Sequence, residues 1–187
     1  MSTRPLQQVN ASTRSVLADV TSDQMQNPTP CASWDVAGVI NHLVGAQLFF
    51  AAGVKGQPPI GADSDFAAGD YLAAYDEATA ALVACFEADG VMQSTVKMPF
   101  GEMPAAAVMG LVMNDTFTHG WDLAKATGQS TDIAPELAAQ ILDQAKSSIR
   151  EGFRGEEGSA PFGLERECSD GASAADHLAA FLGRDVA

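Results

Sequence analysis

The sequence predicts an all-α fold: a four-helix bundle with additional C-terminal helices. Three observations carry this. Apolar residues recur at helical spacing through four long stretches. Glycines and prolines punctuate the chain between them. No regular alternation of strands and helices suggests an α/β sheet. The chain has 187 residues, with 47% hydrophobic and only 18% charged, which is a globular rather than a disordered composition. Residues 1–187 are expected to form a single domain, since no internal repeat or linker divides them.

The first helix is expected from Leu6 to about Met25, with Val9, Val16, Leu17 and Val20 on one stripe. Asn27-Pro28-Thr29-Pro30 breaks it. The second starts at Asp35, an N-cap whose carboxylate accepts from free backbone N–H groups. Trp34 and Val39 have the spacing of a hydrophobic staple across that start. This helix runs to about Ala52, and Gly56 to Gly61 form a loop. The third spans about Phe66 to Ala88 and stops at Gly90. Val91 to Met98 is weakly extended and Phe100-Gly101-Glu102 reads as a turn.

The fourth helix starts at Pro104, a residue tolerated at the first helical position, and ends near Thr127 before Gly128. Nothing between Pro104 and Asn114 is charged, so this helix belongs at the centre of the fold. A fifth covers about Pro135 to Phe153, and Arg154 to Ser159 reads as a mobile Gly- and Glu-rich stretch. A short last helix runs from Ala172 to Leu182.

The net charge of −14, from 10 basic and 24 acidic residues, repels phosphate backbones and disfavours nucleic-acid binding. No run approaches the roughly 18 continuous apolar residues of a membrane span, and the N-terminus lacks the pattern of an export signal. Cytoplasmic residence is the expectation. The cysteines Cys31, Cys85 and Cys168 are odd in number and widely spaced, which disfavours a disulfide framework. Each reads first as a small buried apolar residue; Cys31 lies near a helix start, where a thiolate could be favoured, which is the alternative for it.

The fourth helix carries the chemistry. Asp115 and His119 are four residues apart and share a face, one turn from each other. A carboxylate and an imidazole at that spacing can hold one metal ion. A hydrogen-bonded Asp–His pair and a solvated polar face are the alternatives. His42 lies about seven residues, roughly 10 Å, into the second helix, and His119 roughly 12 Å from the end of the fourth. If the two helices are antiparallel, His42 and the Asp115/His119 pair sit at similar heights. Asp122 follows His119 by three positions, where it can orient the ring as an outer partner or form a helix-end ion pair. His177 reads as a surface residue and Trp121 as core.

Two segments carry a family resemblance: Thr29-Pro-Cys-Ala-Ser-Trp-Asp-Val-Ala-Gly-Val-Ile-Asn-His-Leu-Val-Gly45 and Asp115-Thr-Phe-Thr-His-Gly-Trp-Asp-Leu-Ala-Lys-Ala-Thr-Gly128. With the terminal Ala180-Phe-Leu-Gly-Arg184, they resemble the DinB/YfiT-like superfamily, in the actinobacterial branch related to mycothiol-dependent maleylpyruvate isomerase. The resemblance implies a DinB-like four-helix bundle and a divalent metal, zinc first and nickel second, on His42, Asp115 and His119. Asp115 stands where the isomerase has glutamate and many DinB proteins have histidine. The isomerase's additional C-terminal domain is unmatched, so maleylpyruvate isomerisation itself is not the expected reaction. A low-molecular-weight thiol such as mycothiol is the implied cosubstrate, giving thiol S-transfer to an electrophile or thiol-assisted isomerisation. A hydrolase using bound water is the runner-up, and a non-catalytic metal- or ligand-sensing bundle, as a homodimer, is the third reading.

Overall fold

The computed structural model describes residues 2–58, 64–156 and 159–186. Four long helices, α1 (Arg4–Ala18), α2 (Val36–Val54), α3 (Tyr71–Glu87) and α4 (Ala105–Ala126), form the bundle. Helices α5 (Pro135–Ser148) and α6 (Ala174–Phe181) pack on each other and against α4. A small antiparallel hairpin, β1 (Thr95–Met98) and β2 (Gly101–Pro104), precedes α4. Two residues each of β3 (Arg154–Gly155) and β4 (Phe162–Gly163) pair in parallel near the C-terminus.

Long-range contacts fix the direction of each helix. Thr3 hydrogen-bonds Glu87 and Arg14 pairs with Asp76, so α1 and α3 are antiparallel. Cys85 contacts the carbonyl of Ala51, while Asn41 bonds Asp65 and Ala67 just before α3. Helices α2 and α3 are therefore parallel, and the connection between them must travel back along the bundle. Thr13 donates to Thr116 and Gln129 to Val16, which makes α4 parallel to α1 and antiparallel to α2. The order is up-down-down-up, with one long crossover.

Helix α2 begins as expected, with the Asp35 carboxylate accepting from the Gly38 N–H at 2.8 Å. It is long and apolar enough, by length and composition, to cross a membrane. Its contacts run to α3, α4 and β1, the pattern of a core helix. Helix α4 is central, with sixteen buried residues from Ala105 to Ala124. It meets α1 closely at Gly120, where a Cβ would stand 2.6 Å from Thr13 Oγ1.

Several boundaries differ from the sequence expectation for local reasons. The first helix ends at Ala18 instead of Met25, because Thr21 and Gln24 cap a separate 3-10 turn through their own side chains. The third starts at Tyr71 instead of Phe66, capped by Asp70, whose side chain accepts from the Ala73 N–H. Gly101 pairs with Met98 across the hairpin, so the turn is Pro99-Phe100 and Gly101-Glu102 are already strand. The fifth stops at Ser148 instead of Phe153, where the Ser147 and Ser148 hydroxyls both bond the Gln144 carbonyl. In the stretch expected to be mobile, Arg154-Gly155 pair with β4, and the Arg154 guanidinium donates to the carbonyls of Gly163 and Phe181. Residues 59–61 of the expected loop, and 157–158, lie outside the described residues.

Candidate metal centre

Helices α2 and α4 bring His42, Asp115 and His119 together. Their donor atoms lie within 4.8 Å of one another. His42 Nε2 is 2.9 Å from Asp115 Oδ1, and His119 Nε2 is 3.7 Å from the same oxygen. In a tetrahedral zinc site with bonds near 2.1 Å, neighbouring donors stand about 3.4 Å apart. The two observed spacings bracket that value, and two imidazoles with one carboxylate suit a borderline divalent ion. The residues present therefore fit such an ion.

The antiparallel run of α2 and α4 produces this convergence. Asn27, just before α2, donates to the carbonyl of Ala126 at the end of α4. At the other end, a Cβ on Gly53 of α2 would meet Met98 of the hairpin that leads into α4. His42 and the Asp115/His119 turn consequently fall at the same level.

The ion pairing is internal to the site. Burial alone would lower the His42 imidazole, but the facing Asp115 carboxylate outweighs it and raises His42 above its ordinary value. Burial likewise works against the Asp115 charge, yet His42 holds that carboxyl below the usual range. Both side chains keep about a quarter of their surface exposed (25% and 26%), so the site opens to solvent on one side.

On the opposite side the site is anchored. His119 Nδ1 lies 2.9 Å from Asp122 Oδ2, and the Asp122 side chain is fully buried. Arg184 donates to both oxygens of the same carboxylate, each at 3.0 Å. Burial opposes the Asp122 charge, and the His119 and Arg184 hydrogen bonds overcome it, holding the carboxyl below the usual range. Asp122 thus makes both kinds of contact open to it, a hydrogen bond with His119 and an ion pair with Arg184.

Trp34 forms the wall. Its ring stacks on His42 at 4.4 Å between centroids and meets His119 edge-on at 5.4 Å. The local sequence explains how it gets there. Thr29 donates to the carbonyls of Cys31 and Trp34, folding the Thr29–Trp34 loop over the start of α2. A Cβ on Gly38 would stand 2.9 Å from Trp34 Cβ, so glycine is what lets the indole fold back. Trp34 does pack against the cluster containing Val39, as a staple would, but the same ring also covers the two histidines.

Sequence reasoning left out Trp34 as a site residue, and it left out Arg184 as the partner of Asp122. Cys31 is also closer than expected: its sulfur, a His119 nitrogen and an Asp122 oxygen lie within 4.8 Å of one another. Trp34 is only eight positions from His42, which is a legible signal; Arg184 has no periodic link to Asp122. His177 is half-buried and lines a cavity of about 390 Å³ with Lys146, Arg166 and Cys168, away from the centre. Trp121 is fully buried, its indole N–H donating to Asp176 at 2.8 Å.

Fold and site together define a DinB-like helical bundle. The model of the mycothiol maleylpyruvate isomerase N-terminal domain matches residues 6–124, and the chain belongs to that family. Two curated relatives, the uncharacterized proteins MT0763 and Rv0738 of Mycobacterium tuberculosis, are each 42% identical over 173 residues, 91% of either chain. Among solved structures, the mycothiol-dependent maleylpyruvate isomerase matches with a TM-score of 0.52 at 15% identity, over 80% of this chain and 73% of that one. A histidine-to-alanine mutant of it gives 0.55 at 14% with the same coverage. At that identity the likeness is one of fold.

Proposed function

We propose that this protein is a divalent-metal-dependent enzyme that joins the sulfur of a low-molecular-weight thiol, of the mycothiol type, to an electrophilic substrate. The outcome is S-transfer or thiol-assisted isomerisation. The observation that carries the reading is the convergence of His42, Asp115 and His119, from two helices, to within 4.8 Å. The family match supports the choice of a thiol over water.

His42, Asp115 and His119 would hold the ion, zinc first and nickel second, leaving a coordination position for a ligand from solution. A bound divalent ion there would favour the thiolate form of the cosubstrate near neutral pH. Asp122 accepts the His119 Nδ1 proton, which leaves the Nε2 lone pair directed at the cluster. Arg184 keeps Asp122 ionised for that task. Trp34 covers the imidazoles and keeps water off one side.

The first test is metal content. Purified protein should carry about one divalent ion per chain, and His42→Ala with His119→Ala should abolish uptake. Retained stoichiometry in the double variant sinks the site. Mycothiol is then offered with a model epoxide or haloarene. Turnover without any thiol favours the hydrolase; tight ligand binding with no turnover favours a sensor.

A further inference from the structure

A second concave site lies between α5, α6 and the run Glu165-Arg166-Glu167-Cys168, away from the metal centre. Its volume of about 390 Å³ falls in the range of small-molecule sites, roughly 300–1,000 Å³. The floor is apolar, formed by Leu142 of α5 with the buried Ala180 and Phe181 of α6. Floor and wall are tied together by the chain itself. The Arg166 N–H donates to the Ala180 carbonyl at 2.9 Å. The Arg154 guanidinium donates to the Phe181 carbonyl and stands 4.3 Å from the centroid of its ring.

The rim carries charges of both signs. Lys146 lies one turn beyond Leu142, and His177 one turn before Phe181. With Arg166 they set two cations and an imidazole around a space that Glu165 and Glu167 also border. Among the described residues these cations and carboxylates form no ion pair with one another, so each sign is available to a ligand. A carboxylate suits Lys146 and the Arg166 fork. A simple anion is disfavoured, because the two glutamates border the same space and the protein carries −14 overall. A simple cation meets Lys146 and Arg166. A zwitterion answers both signs, and the floor takes an apolar side chain. Burial raises the Cys168 thiol above its ordinary value, with Asp176 adding to the shift, so the sulfur stays protonated and lines the wall as a neutral group.

We propose that this cavity is a binding site for an apolar α-amino acid, separate from the metal centre and independent of the thiol reaction above. The ligand's carboxylate pairs with Lys146 and Arg166, and its ammonium group with the Glu165 and Glu167 carboxylates. Its side chain rests on Leu142 and Phe181.

Calorimetry at low salt with L-leucine tests it, beside two analogues that each lack one charge. These are 4-methylpentanoate, without the ammonium group, and 3-methylbutylamine, without the carboxylate. Leucine should bind with a Kd on the order of 1 mM or tighter, and each analogue at least about tenfold more weakly. Lys146→Gln and Arg166→Gln, both at exposed positions, should each weaken leucine about fivefold with helix content unchanged. Bound leucine should also slow alkylation of Cys168 by iodoacetamide, read on its peptide by mass spectrometry, and leave the Cys31 rate unchanged. No leucine binding at about 10 mM overturns the proposal. So does an analogue that binds as tightly as leucine, unchanged affinity in both variants, or leucine bound without protection of Cys168. Zinc-free and zinc-loaded protein should give the same leucine affinity; binding that requires zinc assigns the ligand to the metal centre and overturns the proposal too.

Discussion

Replacing Asp122 by asparagine tests how much of the site depends on one buried charge. The side chain is fully buried and serves two donors, His119 Nδ1 at 2.9 Å and Arg184 at 3.0 Å on each oxygen. Asparagine has nearly the same shape but one acceptor oxygen. Its amide group must face either the imidazole N–H or the guanidinium, donor against donor. Breaking a buried ion pair costs ~3–5 kcal/mol, and the 17% exposure of the Arg184 side chain places this case at the lower end, near 3 kcal/mol. Urea unfolding of the metal-free variant reads that loss directly. Loss of the orienting partner should also weaken zinc by about 10- to 100-fold, or roughly 1.4–2.8 kcal/mol, in competition with a chromophoric chelator. Parent-like stability and zinc affinity in the same variant refute the account of Asp122 as the post that orients His119. Normal affinity with reduced stability assigns it to folding alone.

Further predictions concern packing, capping and protonation. Gly120→Ala places a methyl 2.6 Å from Thr13 Oγ1 and should destabilise the protein by about 1–3 kcal/mol, read as a lower urea midpoint with unchanged slope. Asp35→Ala removes the cap on α2 and should cost about 1 kcal/mol in the same assay. In metal-free protein the raised His42 and the lowered Asp115 make their pairing pH-dependent with opposite signs. The His42 contribution is complete below its unfolded value, near 6.5, and is lost as pH rises through the raised folded value. The Asp115 contribution is complete above its unfolded value, near 3.9, and is lost as pH falls through the depressed one. The stability gap between parent and Asp115→Asn should therefore be widest between about pH 4 and 6.5 and shrink on either side; a gap that stays flat from pH 4 to 9 contradicts the pairing. The proton on His42 also competes with a metal, so zinc affinity should fall as pH drops through the His42 titration, measured by chelator competition across pH.

Most elements could be read from the chain because their signals are local. The Asp35 cap, the stop at Gly128, whose φ is +71°, and the uncharged first half of α4 each act within a turn or two. The misplaced ends share one cause. Thr21, Asp70, Ser147 and Ser148 bond nearby backbone and terminate or start helices that apolar periodicity alone would extend. The hairpin was half legible, since Val91 to Met98 looked weakly extended while its partner strand was hidden in an apparent turn.

The sequence by itself determined the helices, the central place of α4 and the pairing of His119 with Asp115 and Asp122. A helix fixes the relative direction of side chains three or four residues apart, whatever surrounds it. Only the tertiary structure decided the up-down-down-up order. It set His42 against Asp115 across 73 positions and Arg184 against Asp122 across 62. It also laid Trp34 over both histidines and brought Cys31 beside His119 and Asp122. These juxtapositions come from how buried faces of separate helices pack, and no periodicity within one helix encodes which faces will meet.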